Sequence, residues 1–229
     1  MAKHLDLEEQ EQLDQFKHFW KQHGNWITWV LILVLGSYGG WNLYQYWQRQ
    51  QATQAAALYD EVERAAQGTD TAKLERALGE MKDRFGSSSY GQQAGLLAAK
   101  SFYEQGKVDA AKAALAWVAE KAPDEGYQAL ARLRLAGLLV EAKTPDEALK
   151  QLSGNFPSEF APLVADRKGD VHAIQGKKAE AIAEYTKAYR GLEERSEYRR
   201  MVEIKLNSLG VNPKADAAPA SAATTGAKP

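Results

Sequence analysis

No Asp, Glu, Lys or Arg occurs between Lys21 and Arg49, and this uncharged run constrains the chain more than any other feature. Its centre, WITWVLILVLGSYGGWNLYQYW, covers the 22 positions from Trp26 to Trp47. At the rise of an α-helix that is about 33 Å, enough to cross a hydrocarbon layer of about 30 Å. Trp26 and Trp29 stand at one end, and Trp41, Tyr44, Tyr46 and Trp47 at the other. Aromatic rings at both ends suit the two headgroup levels. The run predicts a transmembrane helix.

The segment does not have the layout of a cleaved signal. A secretory signal opens on a short basic region, whereas here Lys3, Lys17 and Lys21 are outnumbered by Asp6, Glu8, Glu9, Glu11 and Asp14. No Pro or Gly interrupts Trp41 to Gln67, so the helix is expected to run on beyond the apolar core as an uncleaved anchor. Lys17 and Lys21 before the span tie with Arg49 and Arg64 after it, so charge leaves the orientation open. Gly36 and Gly40 form a G-x-x-x-G at which a second membrane helix could approach.

Beyond Gly68 the pattern is helical throughout, with no β-type alternation. Helices are predicted near 51–67, 70–85, 89–105, 108–121, 125–142, 146–153, 159–175, 178–191 and 195–209. Gly106, Gly154, Gly176 and Gly210 mark helix stops, and Thr144-Pro145-Asp146-Glu147 reads as a capping box. The segments FYEQGKVDAAKAAL, LVEAKTPDEALKQL and HAIQGKKAEAIAEY share one pattern. Each has a turn, then a small Ala (Ala111, Ala148, Ala181), then an apolar residue four later (Leu115, Leu152, Tyr185). The Ala spacings, 37 and 33, bracket the tetratricopeptide period of about 34.

The fold class is therefore all-α: one N-terminal transmembrane helix, then a tetratricopeptide-like α-solenoid of three to four helix pairs with a C-terminal capping helix. Residues 51–85 read as a degenerate first pair. Ala98-Ala99, Leu135-Ala136 and Gly169 allow close crossing within pairs, with Phe102 and Leu139 filling beyond. Lys168 and His172 stand at the same positions of the third pair, where the register reads as looser. Tyr198, Met201, Val202, Leu206 and Leu209 form the capping face. The division is 1–25, a tail with a separate short amphipathic helix (Leu13, Phe16, Trp20; Asp6 and Glu9 as capping box); 26–47, the span; 48–210, the repeats; and 211–229, a disordered tail.

The chemistry implied is binding. Lys and Arg total 29 against 30 Asp and Glu, and the two signs balance within the repeats, so no basic face for nucleic acid is supplied. There is no cysteine. The histidines His4, His18, His23 and His172 form no ligand spacing, and His172 reads as a packed structural residue. No P-loop, nucleophile elbow or dinucleotide fingerprint occurs. We expect no catalytic residue, metal or cofactor. A groove lined by the first helix of each pair is the candidate site: Gln93, Leu96, Lys100 and Tyr103, then Leu130, Leu133 and Val140, then Leu163, Asp166 and Asp170. A peptide laid across it would use Tyr103 and the leucines as anchors and the charges for orientation.

The lead-in EEQEQLDQFKHFWKQHGN, the aromatic-flanked span, the following WQRQQ and the degenerate repeats together resemble the ancillary SecYEG translocon subunit family (YfgM-like) of Gram-negative bacteria. The resemblance covers nearly the whole chain. It implies a single-pass inner-membrane protein with a cytoplasmic N-terminus and periplasmic repeats. It further implies partners in the SecYEG translocon and a membrane-anchored periplasmic chaperone of the prolyl-isomerase type. The implied task is helping exported, unfolded chains pass to periplasmic chaperones, with no catalytic residue to assign. The residues alone leave two rivals: a membrane-tethered scaffold assembling another complex on the cytoplasmic side, and an enzyme or metal protein with a site built across repeats.

Overall fold

The computed structural model describes residues 7–214, with side chains described at Leu13 and from Phe16 onward. The chain divides into two compact units, Met1–Gln54 and Ala55–Pro229.

In the first unit, helix α1 (Leu7–Gln67) begins, and it is continuous through the front tail and the apolar run. The tail therefore has no separate helix, contrary to expectation. Proline is absent from this stretch, and Gly24, the residue that could break it, is buried. A Cβ on Gly24 would lie 3.1 Å from the Trp20 indole, and the Thr28 hydroxyl donates to the Gly24 carbonyl at 2.7 Å. The predicted capping box at Asp6 lies outside the described residues. A helix within Phe16–Gln67 is long and apolar enough to cross a membrane. Between Trp26 and Trp47 its large apolar side chains other than Ile27 are exposed, from 42% at Val30 to 71% at Trp26, as hydrocarbon-facing side chains would be. Gly36, Gly39 and Gly40 leave an open notch, since nothing lies within 4 Å of a Cβ built on any of them.

The second unit pairs its helices. The end of α1 buries Ala55, Leu58 and Val62, and α2 (Thr71–Phe85) buries Leu74, Leu78 and Met81. Then follow α3 (Ser89–Glu104) with α4 (Val108–Lys121), and α5 (Glu125–Glu141) with α6 (Pro145–Leu152). After a 3-10 turn at Ser158–Phe160 come α7 (Ala161–Ile174) with α8 (Lys178–Gly191), then α9 (Glu197–Ser208). Polar bonds about one repeat apart join successive pairs: Ser101 donates to the Ala66 carbonyl at 2.9 Å, and Gln93 to the Tyr127 hydroxyl at 2.9 Å.

The first helices of three pairs, α3, α5 and α7, and the capping helix α9 end alike. Gly106, Lys143, Gly176 and Gly210 each take a left-handed φ, at 74°, 60°, 73° and 84°. The next amide reaches back to Phe102, Leu139, His172 and Leu206, respectively. This is the Schellman closure, which satisfies carbonyls the helix leaves open. At the second turn Lys143, not a glycine, takes the left-handed position. Thr144 accordingly does not cap α6: its hydroxyl donates to the Leu139 carbonyl at 3.0 Å, serving the helix behind it. Pro145 does stand at the start of α6.

Counting back from these residues puts the helices in register. Four before come Phe102, Leu139, His172 and Leu206; eight before come Ala98, Leu135, Lys168 and Val202. These rows face the partner helix. Met201 lies one residue off the seam and is 54% exposed, so it does not belong to the capping face. That face is Tyr198, Val202, Lys205, Leu206 and Leu209. The third pair is not loose either. Lys168 and His172 are only half-buried, but Gly169 lets the Tyr185 ring approach to 2.5 Å of where a Cβ would be. Residues 211–214 pack back on the cap, with Pro213 buried and Lys214 paired to Glu203 at 2.6 Å; the rest of the predicted disordered tail lies outside the described residues.

Candidate protein-binding groove

The first helices carry a groove of about 320 Å³ lined by α3, α5 and Arg167 of α7, with Leu115 of α4 beneath. The register explains its make-up. Ten residues before each left-handed turn stand Leu96, Leu133 and Asp166; six before stand Lys100, Gly137 and Asp170. In the first two repeats these rows give an apolar floor (Leu96, Leu133, with Ala99 and Leu138) and a gap at Gly137, where a Cβ would meet nothing within 4 Å.

The rim is polar. Tyr103, 42% exposed, donates its hydroxyl to Glu141 Oε2 at 2.8 Å and so spans α3 and α5. That carboxylate raises the phenol above its ordinary range by accepting its proton in a hydrogen bond. Lys100 Nζ stands 3.7 Å from Glu104, an exposed pair of little energetic weight. Arg134 is exposed and has no acidic partner among the described residues.

Of the residues proposed from sequence, Leu96, Lys100, Tyr103 and Leu133 line this groove. Gln93 instead binds Tyr127, while Leu130, Val140 and Leu163 pack partly buried against the core. Gly36 and Gly40 belong to the first unit. Asp166 and Asp170 do not present free carboxylates. Asp166 is 1% exposed; it accepts Lys205 Nζ at 2.8 and 2.9 Å and the Tyr198 hydroxyl at 2.6 Å. Asp170 accepts Lys205 at 2.6 Å and the Tyr185 hydroxyl at 2.8 Å. Burial first, and then these carboxylates, push both phenols well above their ordinary range. With a lysine already between them, the two acids form a closed ion-pair cluster joining α7, α8 and α9. Among the described residues no group of three or more His, Asp or Glu is arranged to hold a metal ion.

Sequence reasoning missed Arg134, Gly137, Glu141, Arg167 and the pairing role of Lys205. The signal was present for Gly137, a glycine inside a helix with no turn to serve, which marks either open space, as here, or a close approach, as at Gly169.

A family model described as a tetratricopeptide repeat-like domain matches residues 17–211. A protein of Neisseria gonorrhoeae named ancillary SecYEG translocon subunit is 37% identical over 210 residues, covering 91% of this chain and 100% of the relative. Proteins of the same name from Haemophilus influenzae and Escherichia coli are 28% and 26% identical; each match covers 89% of this chain, and 98% and 97% of those relatives.

Proposed function

The chain belongs to the family of ancillary SecYEG translocon subunits and carries its tetratricopeptide repeat-like domain, and on that premise we propose that it serves the translocon as a membrane-tethered protein-binding module. The observation that carries this reading is the combination, in one chain matched over 91% of its length by such a relative, of an apolar anchor helix and an open groove on the repeat helices. In this reading α1 anchors the protein in the inner membrane, with the N-terminus cytoplasmic and the repeats periplasmic. Tethering at the channel's exit raises the local concentration of the groove, so that weak contacts suffice. The partners are the translocon, a membrane-anchored chaperone of the prolyl-isomerase type, and exported chains on their way to periplasmic chaperones. The role is binding and not catalysis.

The tied charges flanking the span favour neither orientation, which keeps the cytoplasmic scaffold as a rival. Protease added to spheroplasts carrying a C-terminally tagged chain separates the two. Loss of the tag before lysis is the expected result, together with co-purification of translocon subunits. Protection until lysis would put the repeats in the cytoplasm and end the channel-exit role.

A further inference from the structure

The groove is asymmetric in charge. Lys100, Arg134 and Arg167 line it against a single carboxylate, Glu141, which already accepts the Tyr103 hydroxyl. Lys100 and Arg167 hold their acids only at 3.7 and 3.4 Å, and Arg134 has none among the described residues. Beneath this rim the floor is aliphatic, and Gly137 leaves room for an incoming side chain.

We propose that the groove receives an extended segment of a partner polypeptide in which an apolar side chain is flanked by carboxylates. The apolar side chain enters over Leu96 and Leu133 beside Gly137. The carboxylates meet the Lys100 ammonium and the guanidinium groups of Arg134 and Arg167, whose planar forks suit carboxylate oxygens. Charge complementarity selects this occupant over a basic or neutral segment. The chain's own end does not match it: beyond Lys214 the sequence has one acid, Asp216, and no large apolar residue. The inference rests on the reading that the repeat domain binds protein.

The test uses the full chain in nanodiscs, with empty nanodiscs as blank. The probe is a fluorescein-labelled peptide of alternating aspartate and leucine; a lysine-for-aspartate and a serine-for-leucine peptide are the controls. Anisotropy should detect binding of the first probe only, weakening with added salt. Arg134→Glu and Gly137→Leu should each lower its affinity about tenfold, a change of about 1.4 kcal/mol. Gly137→Leu should melt no lower than the parent, because a helix interior gains by losing glycine. Equal binding of the lysine peptide, or unchanged affinity in both variants, would overturn the proposal. So would a dimer of the parent chain that Gly137→Leu dissociates, since a second copy would then fill the groove. Co-purification with translocon subunits is read on the same preparations. If it survives while the peptides go undiscriminated, only the ligand chemistry fails; its absence from the parent chain would sink the underlying reading.

Discussion

The same two helical rows build opposite things in neighbouring repeats. In α3 and α5, Leu96, Lys100, Leu133 and Gly137 leave a groove open to solvent. In α7 the equivalent residues are Asp166 and Asp170, and Lys205 and Tyr198 from α9 close over them. The difference lies in what comes next in the chain. Solenoid ends must be capped, and here the cap is fastened by an ion-pair cluster around the buried Asp166 as well as by Val202 and Leu206. A repeat position thus specifies a face, and the following helix decides whether that face stays available.

If the closed end is held as described, its acid should matter most. Asp166→Ala removes a buried partner of Lys205 and Tyr198, and should cost about 2 kcal/mol in denaturant unfolding, with Asp170 still holding Lys205. A cost within error would mean that apolar packing alone holds the cap. Gly169→Ala comes next. Its Cβ would press on the Tyr185 ring, and the overpacking should cost about 1–2 kcal/mol even though alanine favours helix; the same change at Gly137, in the open repeat, should cost nothing.

The alkaline limb contrasts the two ends by pH. Tyr185 and Tyr198 keep their protons in the folded state beyond the ordinary phenol value of about 10. Their contribution is therefore complete below that pH and is lost as pH rises above it, because the unfolded chain releases those protons first. Stability followed by circular dichroism should fall above about pH 10, less steeply in a Tyr185→Phe, Tyr198→Phe chain. Smallest is the turn. Lys143→Gly should gain about 0.5 kcal/mol by relieving a left-handed lysine, and Gly106→Ala should lose about 1 kcal/mol at the equivalent site.

The helices were legible because their stops are written in the sequence: Gly106, Gly176 and Gly210 fall where left-handed residues close the helices. Lys143 shows the limit, since the repeat spacing located the turn although the residue type did not. The groove's floor was legible for a related reason, the recurrence of Leu96 and Leu133 in one row. Its rim was not. Whether Arg134 is free and Asp166 is covered depends on side chains from helices a full repeat away, as with Lys205, and periodicity carries no information about those pairings. The continuous start of α1 escaped for a local reason. Gly24 looks like a break, but the Trp20 ring shields it and Thr28 bonds to its carbonyl.

The most direct test of the account is site-specific photocrosslinking in native membranes, with a photoreactive phenylalanine analogue replacing Tyr103 on the groove's rim or exposed Lys187 on α8. Crosslinks to a translocon subunit or a newly exported chain from position 103, and none from 187, are the predicted result. Equal crosslinking from both positions, or crosslinking from 187 alone, would contradict the claim that the open groove is the working face.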